Sequence, residues 1–231
     1  MSRPNLELLH CAAEMLRPVL PEIVFVGGYA TGLLITDAGA SPTRQTYDVD
    51  VISAIASYAD YSSFSLRLRA LGFSEDSRAG APLCRWRQGE LSLDVMPVDG
   101  SVLGFSNRWY PEALRSAREV DLRNGLRIRV ITAPCFLGTK MEAFRGRGKS
   151  DYFASHDLED FIAVVDGRAT LLEEVKDSSA GLRAYLADAV RSLLSTSRFL
   201  DALPGHLSSD PAGQARIVFL LARLEELSRK G

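Results

Sequence analysis

Gly27 and Gly28 close an apolar run, Ile23-Val24-Phe25-Val26, and Asp48-Val49-Asp50 later leads into another. Glycine turns leave backbone amides bare enough to hold phosphate oxygens, and paired carboxylates hold the divalent metal that bridges those phosphates. The order and spacing of the two halves suit nucleotidyl transfer. A third carboxylate, Asp94, sits in Leu93-Asp94-Val95. Three aspartates in otherwise apolar strands are costly to bury unless something pairs with them, and a metal would do so. The plainer uses are a solvent-facing Asp-x-Asp pair and a tight turn with positive φ. The turn can serve both purposes, because its amides would stand at a helix N-terminus, where phosphate binds.

The elements that must position these groups follow from hydrophobic spacing. Residues 4 to 19 repeat apolar side chains (Leu6, Leu9, Ala13, Leu16) at helical intervals, with Pro4 near the start. A strand is expected at 23 to 26, then the glycine turn, then a short helix at 29 to 35. Over 46 to 52, Val49 and Val51 alternate with Asp48 and Asp50, so both aspartates share one strand face. A helix is expected at 57 to 71, ended by Gly72. Strands at 83 to 87 and 91 to 97 flank Gln88-Gly89-Glu90, a hairpin spacing that puts Ser92, Asp94 and Met96 on one face. Residues 98 to 112 read as irregular, and 126 to 131 as a strand. Helices follow at 134 to 144 and 156 to 165, then a mostly helical remainder broken at Gly181, Pro204 and Pro211. The expected fold is α/β (α+β): a mixed sheet flanked by helices over 1–132, then a helical bundle over 133–231, with a basic joint at 145 to 149.

The 231 residues are 46% hydrophobic, ample for a packed core, and the formal charge of −2 excludes attraction to nucleic acid by global charge. Any polynucleotide contact must be a local patch. Cys11, Cys84 and Cys135 are odd in number and lack metal-ligand spacing, which suits buried reduced thiols and a cytoplasmic protein. No apolar run reaches a membrane-spanning length, and Glu7, His10 and Glu14 interrupt what a signal peptide would need.

Val26-Gly27-Gly28-Tyr29-Ala30 followed by Arg44-x-Thr46-x-Asp48-Val49-Asp50 resembles the polymerase-β-type nucleotidyltransferase superfamily, and more particularly its AbiEii-like branch, which supplies toxins of bacterial toxin–antitoxin pairs. Lys140-x-x-Ala143-x-x-x-Arg147 and His156-Asp157-Leu158-Glu159-Asp160 are similar to that branch's later motif, so the likeness spans about residues 23 to 166. It implies a palm-like sheet and a catalytic set of Asp48, Asp50, Asp94, Lys140 and Asp157. Asp48, Asp50 and Asp94 would hold magnesium or manganese. Gly27, Gly28, Arg44, Thr46, Lys140 and Arg147 would bind the nucleotide. It further implies transfer of a nucleoside monophosphate from a triphosphate to an acceptor hydroxyl, on tRNA or another RNA, and an antitoxin protein as partner. Many relatives carry serine at the second turn position, so here Tyr29 or Thr31 would have to supply the hydroxyl that Gly28 lacks. The longer interval after Lys140 leaves Asp151, Asp157 and Asp160 open as the late aspartate.

Other residues have plainer readings beside the functional ones. Lys140 on its helix reads equally as a solvent-facing lysine, and His156 as a capping or surface residue rather than a base. Arg145, Arg147 and Lys149, interleaved with glycines, read as a mobile loop folding onto phosphate or as a solvated linker. Phe105, Trp109 and Tyr110 beside Arg108 could stack a base, though packing is the commoner use. Two other classes compete with the RNA-modifying reading: transfer to a small molecule or protein, and a degenerate nucleotide-binding interaction module.

Overall fold

The computed structural model describes residues 3–148 and 150–229; Lys149 of the basic joint lies outside them. The chain divides into two compact units, one formed by 2–30 and 44–132, the other by 31–43 and 133–231.

The first unit is a mixed seven-stranded sheet with helices. Helix α1 (Arg3–Met15) buries Leu9, Ala12 and Ala13, and the chain then tightens into a 3₁₀ turn (Arg17–Glu22) that accommodates Pro18 and Pro21. Strand β1 (Ile23–Val26) is buried along its whole length. It runs directly into α2 (Gly27–Leu34) through Gly27 at φ +66°. Strand β2 (Asp48–Ser53) precedes α3 (Tyr58–Ala70), whose N-cap Ser57 accepts from the Asp60 amide. The two-residue strand β3 (Ser74–Glu75) lies on the edge beside β4 (Arg85–Gln88), which forms the expected hairpin with β5 (Leu91–Pro97).

Residues 98 to 112, expected to be irregular, contain α4 (Gly100–Leu103), capped by Asp99, and the start of α5 (Tyr110–Ser116), with Pro111 in its first turn. Strands β6 (Arg118–Asp121) and β7 (Arg127–Val130) close the order β3-β4-β5-β2-β1-β7-β6. Among the described residues only β1–β7 and β2–β5 are parallel pairs. In the β2–β5 register Asp50 stands beside Asp94 and Asp48 beside Ser92, so the carboxylates share one face. Val49, Val51, Leu93 and Val95 go to the other, fully buried face. Each such side chain contributes roughly 1.5–3 kcal/mol; this is what fixes the register.

The second unit is helical. Helix α6 (Ala133–Arg147) runs past its expected end, so Arg145, Gly146 and Arg147 form its last turn rather than a loop. Gly148 follows, where a Cβ would lie 2.4 Å from the Phe144 carbonyl oxygen. Then come α7 (His156–Gly167), α8 (Leu171–Lys176) and α9 (Ala180–Leu194). Gly181 stands inside α9 rather than breaking it, because a helix's first turn tolerates glycine. Helix α10 (Ser197–Ala202), a 3₁₀ turn containing Pro204, α11 (Pro211–Ala215) and α12 (Ile217–Arg229) complete it. Segment 31–43 joins this unit through specific bonds. The amides of Thr36 and Asp37 donate to the Gly167 carbonyl, and Arg216 donates to both Asp37 and the buried Asp166.

Candidate active site

At the glycine turn the two residues have separate reasons to lack a side chain. Gly27 is left-handed, and a Cβ there would lie 1.8 Å from Asp50 Oδ2, so the Asp50 carboxylate rests on the turn itself. Gly28 has ordinary φ, but a Cβ on it would lie 2.5 Å from Thr46 Oγ1 and 3.0 Å from Arg44 Nη2. The space that a serine would occupy therefore belongs to Thr46 and Arg44. The loop before β2 is pinned there by three hydrogen bonds from two residues. Buried Asn5 of α1 donates to the Arg44 carbonyl and accepts from the Thr46 amide, while the Tyr29 hydroxyl donates to the Thr46 carbonyl at 2.9 Å. Thr46 Oγ1 is buried without a partner. Neither Tyr29, committed to that carbonyl, nor the buried Thr31 presents a hydroxyl in place of the one that Gly28 lacks. Burial first, and then the charges of Asp48 and Asp50, push the Tyr29 phenol up to about 12.

The acidic face holds a residue that motif reading missed. Arg85 on β4 pairs in register with Asp94, donating Nε to Asp94 Oδ1 and Nη2 to Asp94 Oδ2, both at 2.8 Å. The same Nη2 donates to Asp48 Oδ2 at 2.7 Å. Two carboxylates from adjacent strands thus converge on one positive nitrogen. Hydrogen bonding to Asp94 outweighs burial and raises the Arg85 pKa further, so the guanidinium stays charged. The donor set fits a divalent cation, with hard oxygens of Asp48 and Asp94 already gathered around a positive centre and Asp50 beside them in the sheet. As the side chains stand, no three acidic, histidine or cysteine groups among the described residues converge to hold a metal. Asp50 lies toward Gly27, and Arg85 fills the gap between the other two. Cys84, next to Arg85, is buried, and that burial followed by the Asp94 and Asp50 charges pushes its thiol up to about 12.

Lys140, Arg147, Asp157 and Asp160 form a second cluster, within the helical unit. Lys140 is buried rather than solvent-facing, with Nζ 2.6 Å from Asp160 and 3.3 Å from Asp157. Arg147, at the end of α6, makes two hydrogen bonds to Asp157 of 3.0 and 3.1 Å. Burial alone would raise the Asp157 pKa, but the Arg147 hydrogen bonds and the charges of Lys140 and Arg147 outweigh it and hold the carboxyl below its usual range. Among the three aspartates left open, Asp157 and Asp160 join Lys140. Asp151 is exposed and accepts from the Phe153 and Ala154 amides, the work of a turn.

The remaining residues take structural parts. Ser155 caps α7, and the exposed His156 pairs with Glu159. Tyr110 donates to Met96 Sδ, and Arg108 lies 5.6 Å from the Trp109 ring. Cys84 and Cys135 are buried free thiols, but Cys11 is exposed, on the outer face of α1. Among the described residues no helix is long and apolar enough to cross a membrane.

No protein-family model matches the chain, and no curated protein matches it. Several solved structures match this chain in shape. An antigenic nucleotidyltransferase-like protein from Paracoccidioides brasiliensis is 20% identical with a TM-score of 0.49, over 87% of this chain and 94% of that one. JHP933 from Helicobacter pylori is 14% identical with a TM-score of 0.47, over 100% of this chain and 91% of that one. Likenesses of this degree do not extend to activity.

Proposed function

We propose that the protein is a nucleotidyltransferase that moves a nucleoside monophosphate from a triphosphate to an acceptor hydroxyl. The observation that carries this reading is the convergence of Asp48 and Asp94 on one cationic nitrogen, with Asp50 resting on the phosphate-ready turn at Gly27. Asp48, Asp50 and Asp94 would hold magnesium or manganese, which neutralises phosphate charge and lowers the cost of ionising the attacking hydroxyl. The turn amides at the head of α2 would receive phosphate oxygens, helped by the positive end of the helix. Arg44, held over Gly28, would add a charge-assisted bond. The acceptor oxygen bonds to the α-phosphorus, the α–β bridging bond breaks, pyrophosphate departs and the hydroxyl proton passes to solvent. Lys140, Asp157 and Arg147 keep the roles that the resemblance implies, as proposals. An RNA end, tRNA in particular, as acceptor, toxin activity and an antitoxin partner rest on that same resemblance.

One observation favours a second reading. Arg85 already neutralises Asp48 and Asp94, and Gly28 offers no hydroxyl, as a nucleotide-binding module without chemistry would have it. Incubation with each labelled triphosphate, magnesium or manganese, and total bacterial RNA separates the two. Label transfer and pyrophosphate release, both lost in Asp48→Ala and Asp50→Ala, support the enzyme; calorimetric nucleotide binding without pyrophosphate supports the module.

A further inference from the structure

A cavity of about 620 Å³ opens in the sheet unit away from the glycine–aspartate cluster. Its rim includes Glu22 before β1, Ser53 at the end of β2 and Val98 after β5. On β2, Ser53 stands three residues beyond Asp50, roughly 10 Å along the strand and on the opposite face. Three guanidinium groups line it from three elements: Arg67 of α3, Arg115 of α5 and Arg129 of β7.

Their charges are unequally balanced. Arg67 is neutralised by a two-bond pair with Glu22. Arg129 is held by the Pro21 and Leu114 carbonyls at 3.2 and 2.7 Å, which orient its guanidinium without cancelling its charge. Arg115 makes no hydrogen bond or ion pair among the described residues. The one other carboxylate, Asp60, is engaged by the Ser57 hydroxyl and the Ala56 amide, which hold its pKa low. Asp60 keeps its negative charge, so three arginines stand against two carboxylates and the lining retains one net positive charge, which suits an anion; donors arriving from separate elements suit a group with three terminal oxygens better than a planar carboxylate. The volume far exceeds one phosphate and falls within the usual range for small-molecule pockets, while Phe64, Ile55 and Leu114 supply an apolar wall. We propose that this cavity is a second ligand site that binds a phosphomonoester carrying an apolar body, separate from the site of nucleotidyl transfer.

The test is an NMR titration of the full chain with phenyl phosphate and, separately, with inorganic phosphate. Saturable one-to-one binding of phenyl phosphate is expected, with shifts centred on Phe64, Leu114 and Arg115. Inorganic phosphate should bind about tenfold more weakly, for want of the apolar contact. Arg115→Ala, at an exposed position with no hydrogen bond to lose among the described residues, should weaken phenyl phosphate at least tenfold through loss of a charge-assisted bond, and Asp48→Asn should leave it unchanged. Absence of saturation at tens of millimolar, equal affinity in Arg115→Ala, equal affinity for inorganic phosphate, or loss of binding in Asp48→Asn would each overturn the assignment. Because the Asp48→Asn arm removes the nucleotidyl-transfer site, either reading can fail without the other.

Discussion

Replacing Arg85 with leucine removes the one positive group between Asp48 and Asp94 while keeping an apolar stem on β4. Oxygens 2.7 and 2.8 Å from the same nitrogen are at most about 5.5 Å apart. At that separation two bare carboxylates repel by about 3 kcal/mol at an effective dielectric of ~20, and by under about 1 kcal/mol in bulk water. Asp94 has a side chain only 10% exposed and Asp48 one 38% exposed, which places the cost between these limits. Urea melts in EDTA should therefore find Arg85→Leu about 1–3 kcal/mol less stable than wild type. A divalent ion would no longer compete with the guanidinium, so the same energy should reappear as roughly 5- to 150-fold tighter Mn²⁺ binding, measured from the free-ion EPR signal. Unchanged or weaker Mn²⁺ binding by a folded Arg85→Leu variant would refute both the competition and the view that these carboxylates gather around a cation.

Gly27→Ala should cost about 2–4 kcal/mol in urea melts, combining a left-handed backbone with a Cβ lodged in Asp50; a loss below about 0.5 kcal/mol would contradict the close approach. Gly28→Ser should be destabilising alone and less so in a Thr46→Ala background, with a coupling of about 0.5–3 kcal/mol in the double-mutant cycle, since Thr46 holds that space. The Tyr29 phenol, near 10 when unfolded and about 12 when folded, stays protonated in the native state where the unfolded chain ionises. Stability should therefore fall by up to about 2.7 kcal/mol as pH rises from 10 to 12, and Tyr29→Phe should flatten that difference in parallel melts. Asp157 titrates below its ordinary 3.8, so its contribution is present above that value and lost as pH falls beneath it; Asp157→Asn should remove this acid dependence and, by leaving Lys140 and Arg147 without it, cost about 3–5 kcal/mol at neutral pH.

The strands that carry the carboxylates were legible because their alternation is strict: Val49 and Val51 against Asp48 and Asp50, Leu93 and Val95 against Asp94. Strands β3 and β6 were not, since two and four residues of mostly exposed side chains carry no alternation to read. Helices α4 and α5 were too short for helical periodicity, although Asp99 and Pro111 are start signals in hindsight. Arg85 could have been found. A turn at Gly89-Glu90 sets Gln88 against Leu91, and counting back along the hairpin puts Arg85 opposite Asp94. The burial of Lys140 was equally available, because it lies four residues from both Phe136 and Phe144, on the apolar face of α6. What no local pattern carries is the clamp of Asn5 on the Arg44 to Thr46 loop, a contact across about forty residues of chain, and with it the reason Gly28 bears no side chain.

The most direct test of nucleotidyl transfer is label transfer from an α-³²P nucleoside triphosphate to an acceptor in total bacterial RNA, with divalent metal, for wild type, Asp48→Ala and Asp50→Ala side by side. The account predicts labelled product and stoichiometric pyrophosphate from wild type and at least a thousandfold less from either variant, in keeping with the charge stabilisation such groups supply. Equal labelling by all three proteins, or none by wild type with any triphosphate and acceptor class, would contradict it.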